Sequence, residues 1–289
     1  MRELPEEMVL PGEFVPEAGS GPPVVARDAA TVMLVRDVGG GVEVFLLRRV
    51  VGMAFAGGMT VFPGGGVDKR DLDASVAWHG PSAGWWGERF GCSESLARAL
   101  VCAAVRETFE ESGVLLAGPD GGSVVSDTGP YRGARQALVD REYSFAEFLQ
   151  RNGLVLRADL LRPWANWVTP EAEPRRYDTR FFLAAMPEGQ LADGATTEAD
   201  DAGWQRPAEA IADWQRGARG LMPPTWTALA ELGERGSVAE LMGVERSVEK
   251  VIPKVVRDGN VLRVILPSDP AYADAPFSVD PAPGDEVRP

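Results

Sequence analysis

The 289-residue chain contains one histidine and two cysteines, His79, Cys92 and Cys102. That scarcity excludes a zinc site built on His and Cys clusters, and it leaves a Ser-His or Cys-His nucleophilic pair with only His79 to draw on. Two cysteines in so long a chain also exclude a disulfide scaffold and fit a reducing compartment. Positive charge is scarce as well: 29 Lys and Arg stand against 43 Asp and Glu, for a formal net charge of −14. A field of that sign repels phosphate backbones, which argues against nucleic-acid binding. Long apolar runs are missing. The longest uncharged stretch, residues 50–67, is broken by Gly52, Gly57, Gly58, Pro63, Gly64, Gly65 and Gly66, so it does not read as a membrane span. The opening residues are acidic and lack the apolar run of a secretory signal. The expectation is a soluble, cytoplasmic protein without membrane or nucleic-acid partners, and the sequence leaves a homodimer open.

What is present is enough apolar content, 45% of the chain, to bury a core. Residues 1–28, rich in Pro, Gly and Glu, read as an irregular arm. ATVMLVRD and VEVFLLRRV, either side of Gly39-Gly40-Gly41, predict a β-hairpin. A glycine-rich segment follows, MAFAGGMTVFPGGGVD, then residues 69–91 without clear periodicity, which include Trp78, Trp85 and Trp86. Ser93 as N-cap, Glu94 in the first turn and Gly113 as a stop predict a helix over residues 93–112. Residues 114–116 read as a strand, and two short helices fit between residues 132 and 151. WANWVTP and TRFFLAAM read as strands, residues 207–215 and 224–232 as helices, and residues 261–266 as a strand before a loose Pro- and Asp-rich tail. This order predicts an α/β sandwich. The three tryptophans read as anchors for their segment, with base stacking or a lid as the alternative. His79 reads as an ordinary loop residue, and Cys102 as a small core residue.

If the chain is an enzyme, its chemistry rests on carboxylates, and these cluster in Val105-Arg-Glu-Thr-Phe-Glu-Glu-Ser-Gly-Val114. On a helix, Glu107, Glu110 and Glu111 fall within about 100° of each other, opposite an apolar stripe of Val101, Cys102, Val105 and Phe109. Clustered like charges repel unless something positive sits among them. A hard divalent cation resolves the repulsion, because Mg²⁺ prefers oxygen ligands and keeps sites open for water and substrate phosphates. The alternative is a solvated acidic face on a surface helix.

Phe62-Pro63-Gly64-Gly65-Gly66 followed by this helix resembles the Nudix hydrolase signature, G-x5-E-x7-R-E-U-x-E-E-x-G-U with U apolar. Arg106 to Val114 match its second half, with Thr108 in the first U position, and Pro63-Gly64-Gly65 match its entry loop. In the usual form Gly and Arg are 14 positions apart, whereas Gly65 and Arg106 are 41 apart, an interruption of about 27 residues. Counted back from Arg106, Arg98 stands where the first glutamate of the box belongs. That role is vacant or filled elsewhere, with Glu94 as the candidate. A box interrupted after FPGG resembles the coenzyme A diphosphatase (RP2-like) branch of the superfamily. So do Trp167-Val-Thr-Pro170, Arg175-Arg-Tyr-Asp-Thr-Arg-Phe-Phe-Leu-Ala184 and Met222-Pro-Pro-Thr225.

The resemblance implies a Nudix-type α/β/α sandwich with a mixed sheet over residues 29–235, an insertion at about residues 68–92, and a C-terminal extension with extra helices over residues 236–289. It also implies a Mg²⁺-dependent diphosphatase, with Mn²⁺ as the alternative cation, acting on a small nucleotide substrate. Coenzyme A or an acyl-coenzyme A is the first expectation; NADH, ADP-ribose and dinucleoside polyphosphates are the alternatives, and a non-catalytic nucleotide-sensing or partner-binding module is the reading from another class. Glu107, Glu110, Glu111 and the Gly64 carbonyl are the implied metal ligands, and Glu107, Arg106 and Glu198 the implied catalytic residues. Arg48, Arg49, Arg175 and Arg176 are the candidates for holding substrate phosphates, since arginines suit bidentate recognition of them. Ala54 stands where another coenzyme A branch places the second arginine of its upstream motif.

Overall fold

A computed structural model describes residues 4–5, 8, 24–53, 56–73, 75–171, 173–258 and 261–275. The bulk of the expected N-terminal arm, the end of the tail and Ala54 lie outside the described residues. The chain divides into two compact units. The larger comprises Asp28–Asn166 and Thr179–Glu249; the smaller gathers Met1–Arg27, Trp167–Asp178 and Lys250–Pro289.

The larger unit is built on β1 (Arg27–Val38), in which Ala30, Val32, Met33, Leu34 and Val35 are all buried. A strand covered on both faces reads as a continuous apolar run, as this one does. It turns at Gly39-Gly40 into β2 (Gly41–Arg49), with Val38 opposite Gly41; Gly40 takes a φ of 86°, a conformation glycine adopts without strain. Antiparallel β3 (Met59–Val61) follows on β2, and β4 (Gly64–Gly66) lies antiparallel to β1. Later in the chain come β5 (Trp78–His79), β6 (Ala117–Gly118), β7 (Val155–Arg157), β8 (Leu161–Val168), β9 (Tyr177–Ala185), β10 (Ala199–Gln205) and β11 (Gly220–Leu221). The central sheet of this unit runs β11-β3-β2-β1-β9-β8, with β10 added on β2 and β4 on β1; β11 is parallel to β3, so the sheet is mixed. Strands β5, β7 and β6 make a separate small sheet.

Helices cover both faces. On one lie α1 (Ala83–Phe90) and α2 (Glu94–Ser112), whose Leu100, Val101, Val105 and Phe109 share a core with Ala30, Val32, Leu34, Phe45 and Phe182. Alongside are α3 (Arg132–Val139) and α4 (Phe145–Arg151), the two short helices expected there. α5 (Pro207–Gln215) packs on β2, and α6 (Pro223–Leu232) on α5. The expected α/β/α sandwich is therefore observed. α7 (Val238–Met242) also belongs to this unit, its first N–H donating to Asp37. None of these helices is long and apolar enough to cross a membrane.

Two local readings change, and a third is placed in its sheet. Residues 114–116 are buried but form no strand: the Gln190 amide accepts from the Leu115 N–H at 2.8 Å and donates to its carbonyl at 2.9 Å, as a neighbouring strand would. Residues 69–91 are structured, with a 3₁₀ turn (Lys69–Leu72), β5 and α1. The strand expected at residues 261–266 is β14 (Val261–Ile265), half of a hairpin with β13 (Lys254–Asp258) in the smaller unit, which also contains β12 (Lys250–Val251).

The tryptophans take their anchoring reading. Trp86 is fully buried, stacked on Phe90 at 5.9 Å and tilted against Phe182 at 5.4 Å, while Ser82 caps α1 and Gly91 ends it in a left-handed conformation. Replacing Trp86→Ala is expected to cost about 3–5 kcal/mol in a urea unfolding curve, the usual penalty for emptying a buried aromatic site. A loss below about 1 kcal/mol would show that α1 is not held by this side chain.

Candidate functional site

The last two turns of α2 meet the glycines of β4. Ser93 caps the start of α2 by accepting from the Leu96 N–H, and Gly113, at φ 74°, closes it with an N–H donated to the Phe109 carbonyl. The position of Arg106, Glu107, Glu110 and Glu111 is thereby fixed along the helix. β4 is held by its ladder to β1, with Gly64 opposite Thr31 and Gly65 opposite Ala30, and the Thr31 hydroxyl donates to the Pro63 carbonyl at 3.0 Å. Both close approaches require glycine: a Cβ on Gly64 would stand 2.1 Å from Thr31 Oγ1 on β1, and one on Gly65 2.4 Å from Glu107 Oε1 on α2. The Gly64 N–H instead donates to Glu111 Oε2 at 2.7 Å.

One guanidinium organises the acids. Arg106 donates through Nε and Nη2 to the two oxygens of Asp71 at 3.0 and 2.9 Å, a bidentate fork. Its Nη1 reaches Glu107 at 2.7 Å and Glu110 at 3.2 Å, and Nη2 also donates to the Gly66 carbonyl at 3.1 Å. Asp71, 1% exposed at its side chain, accepts in addition from the Asp68 N–H at 2.8 Å, completing a capping box on the 3₁₀ turn.

Asp71, rather than Glu94 in the first turn of α2, is the acid that the structure pairs with Arg106. Counted forward from Gly65, five residues precede Asp71, the spacing of the usual form. The interruption falls after that position, so a count back from Arg106 lands on Arg98, which donates to the Val76 carbonyl. The forward spacing was the available signal.

Burial dominates the electrostatics. It raises all three helix carboxyls: Glu110 to about 7 against an ordinary 4.5, with Arg106 opposing, and Glu107 upward with Arg106 again opposing. Glu111 is pushed well above the ordinary range by burial and by the like charge of Glu107, opposed by the Gly64 N–H. Glu198, just before β10, adds like charge to both Glu107 and Glu111. Register explains its arrival there: Ala199 pairs with Arg49 on β2, and the Val50 N–H donates to the Glu198 carbonyl at 3.0 Å.

An all-oxygen set of acids that ionises only at a cost fits a hard divalent cation. In this arrangement each acid is engaged by a donor of the protein, and among the described residues no three acid, histidine or cysteine side chains converge as metal ligands. Each of these bonds uses one oxygen of its carboxylate, Oε1 of Glu107 and Oε2 of Glu110 and Glu111, and leaves the other oxygen to a cation.

The remaining candidates divide. Arg49 reaches Glu198 at 3.3 Å, and its buried Nε has no hydrogen-bond partner among the described residues. Arg48, at the end of β2, pairs with Asp200 at 2.6 Å. Arg175 and Arg176 belong to the smaller unit, where the buried Arg176 donates to the carbonyls of Thr169, Pro170 and Val24. Besides Asp71, sequence reasoning missed Arg135, on α3, which donates to the Glu110 carbonyl. No motif marks it.

The NUDT19 Nudix domain family matches residues 92–232. The chain is 31% identical over 192 residues to nudix hydrolase 7 of Caenorhabditis elegans, covering 66% of this chain and 56% of that protein. It thus spans little more than half the length of that relative. It is 27% identical over 279 residues to the human acyl-coenzyme A diphosphatase NUDT19, covering 81% of this chain and 73% of the human one. Among solved structures, a NUDIX hydrolase from Alicyclobacillus acidocaldarius is similar with a TM-score of 0.61 and 26% identity, over 77% of this chain and 98% of that one.

The raised carboxyls have a signed consequence for the cation-free protein. An acid whose folded pKa lies above its unfolded value binds more protons when folded, so stability rises as pH falls through that window. For Glu110 the window runs from about 7 down to about 4.5. In chelator, Tm is expected to rise as pH is lowered from about 8 to about 6, and Glu110→Gln is expected to flatten that slope; an unchanged slope in the variant would refute the assignment.

Proposed function

We propose that this chain, similar to the NUDT19 Nudix domain over residues 92–232, is a Nudix hydrolase that hydrolyses the diphosphate of a nucleoside diphosphate derivative, with coenzyme A or an acyl-coenzyme A as the first substrate. The products are 3′,5′-ADP and 4′-phosphopantetheine or its acyl form. The observation that carries this reading is the set of acids Glu107, Glu110 and Glu111, the first two partly buried and the third buried, gathered on one helix end against Gly64-Gly65 with Glu198 beside them. The names of the NUDT19 relatives as acyl-coenzyme A diphosphatases support the choice of substrate.

Glu107, Glu110, Glu111 and the Gly64 carbonyl would hold Mg²⁺, or Mn²⁺ in its place. When bound, such a cation neutralises charge developing on the diphosphate and lowers the pKa of the attacking water. The protein's own groups do the rest. Arg106, fixed by Asp71, keeps Glu107 and Glu110 on the same side of α2. Glu198 takes the proton of the water on a carboxylate oxygen, and Arg49, whose Nε is a donor without a partner among the described residues, binds a phosphate oxygen. Arg48 is the second phosphate ligand once it leaves Asp200.

NADH, ADP-ribose and dinucleoside polyphosphates are the alternative substrates, because one fold and one acidic helix serve them all. A non-catalytic nucleotide sensor is disfavoured by the complete set of Arg106, Glu107, Glu110 and Glu111, which binding alone does not need. Mass analysis of products from coenzyme A, NADH, ADP-ribose and diadenosine polyphosphates with Mg²⁺ is expected to show 3′,5′-ADP released fastest from coenzyme A or its acyl form. Glu110→Gln is expected to slow that release by about 100-fold or more. A coenzyme A rate far below the others would replace the substrate, and a nucleotide that binds tightly without turnover in either protein would establish a sensor.

A further inference from the structure

The loop between β9 and β10 carries Glu198, and β10 alone does not set its course. Upstream, the Gln190 amide grips Leu115 and also donates to the Val125 carbonyl at 2.6 Å. Three residues later the Asp193 N–H donates to the Ser112 carbonyl at 2.9 Å, on the last residue of α2. Asp193 Oδ1 accepts from the Ala195 N–H at 3.0 Å and from Arg135 Nη1 at 2.6 Å. The same guanidinium donates through Nε to the carbonyl of Glu110 at 3.0 Å. It lies against the end of α2: a Cβ on Gly113 would stand 2.9 Å from Arg135 Nη1. Arg135 is 8% exposed at its side chain, and its Nη2 has no hydrogen-bond partner among the described residues. Two hydrogen bonds, the one to Asp193 being also an ion pair, therefore hold a buried cation in place.

We propose that Arg135 is a positioning residue that fixes Glu198 relative to Glu107 and Glu111. Resting on the cation reading above, the proposal adds a residue outside the Nudix signature. The two edges of one planar fork join the backbone of a site helix to the loop that presents the fourth acid. Lysine, a single point of charge, lacks the geometry to reach both at once. The negative end of α2 favours a cation at that spot, so the fork also suits the helix it clamps.

The experiment is Mn²⁺ titration, followed by the electron paramagnetic resonance signal of the free ion. It uses the full chain as wild type, Asp193→Asn, Arg135→Lys, Glu198→Gln and the double variant Asp193→Asn with Glu198→Gln. Asp193 is 47% exposed at its side chain, so Asp193→Asn removes the charge from the Arg135 link at the tolerant side if Arg135→Lys fails to fold. Asp193→Asn is expected to weaken Mn²⁺ binding by about 10-fold, because Glu198, whose negative charge acts on Glu107 and Glu111, then loses its fixed place beside those ligands. In the Glu198→Gln background the same change is expected to weaken it by less than about twofold, because coupled residues are not additive. A lower Tm with unchanged Mn²⁺ affinity, or equal weakening in both backgrounds, would overturn the proposal. No Mn²⁺ binding by wild type would overturn the cation reading itself, and this inference with it.

Discussion

The site depends on the burial of one guanidinium. Arg106 is 11% exposed at its side chain and faces three carboxylates, Asp71, Glu107 and Glu110. Taking any one of those charges out of water costs several kcal/mol unless it is paired and hydrogen-bonded. A planar fork can serve several acids at once, since its donors lie on two edges and a tip. Asp71 takes both donors of one edge, which sets the plane of the guanidinium and leaves Nη1 for the two glutamates. The acids are thus held near one another at short range, yet none is satisfied as fully as Asp71. That imbalance keeps Glu107 and Glu110 available, with raised pKa values, to a ligand of higher charge.

Much of this was legible because it is local. The caps of α2, Ser93 and Gly113, and the acids between them lie within one helix, and the hairpin of β1 and β2 is written around three glycines. Glu198 came from the family resemblance, whereas what brings it near Glu107 and Glu111, the pairing of β10 with β2, is non-local. What escaped depends on contacts across long stretches of chain. Gln190 substitutes for a strand beside Leu115 from 75 residues away, and no periodicity in residues 114–116 records it. Arg135 carries no motif, being an arginine on a short amphipathic helix until α2 and Asp193 meet it. Residues 69–91 seemed aperiodic because β5 has two residues and α1 eight, too few for either period to repeat.

The acid excess takes on a narrower meaning at the site. Four acids, Glu107, Glu110, Glu111 and Glu198, act on one another there, against Arg106 and Arg49. Arginine on β2 and acid on β10 alternate across neighbouring strands, Arg49 with Glu198 and Arg48 with Asp200. Both pairs are partly exposed, so each is worth little as a tether. Weak pairing leaves both arginines able to part from their acids, as the proposed phosphate binding requires. The buried pairs of Arg106 do the opposite work and hold the scaffold.

The interruption of the box shows which of these forces matters most. Stretching a connection from 14 to 41 positions, between Gly65 and Arg106, lengthens the closing loop about threefold. Loop-closure entropy grows only logarithmically, so the added cost is about 1 kcal/mol. Against it stand the fork between Asp71 and Arg106, whose loss from one side would leave a buried charge at about 3–5 kcal/mol, and the burial of Trp86 and Phe90 by the inserted segment itself. The two halves of the box are therefore joined by the ion pair and the contact of β4 with α2, and the length of chain between them is nearly free to vary. A segment of that size can be added wherever both its ends sit on an interaction stronger than the closure cost. The gap between Asp71 and Arg106 is such a place.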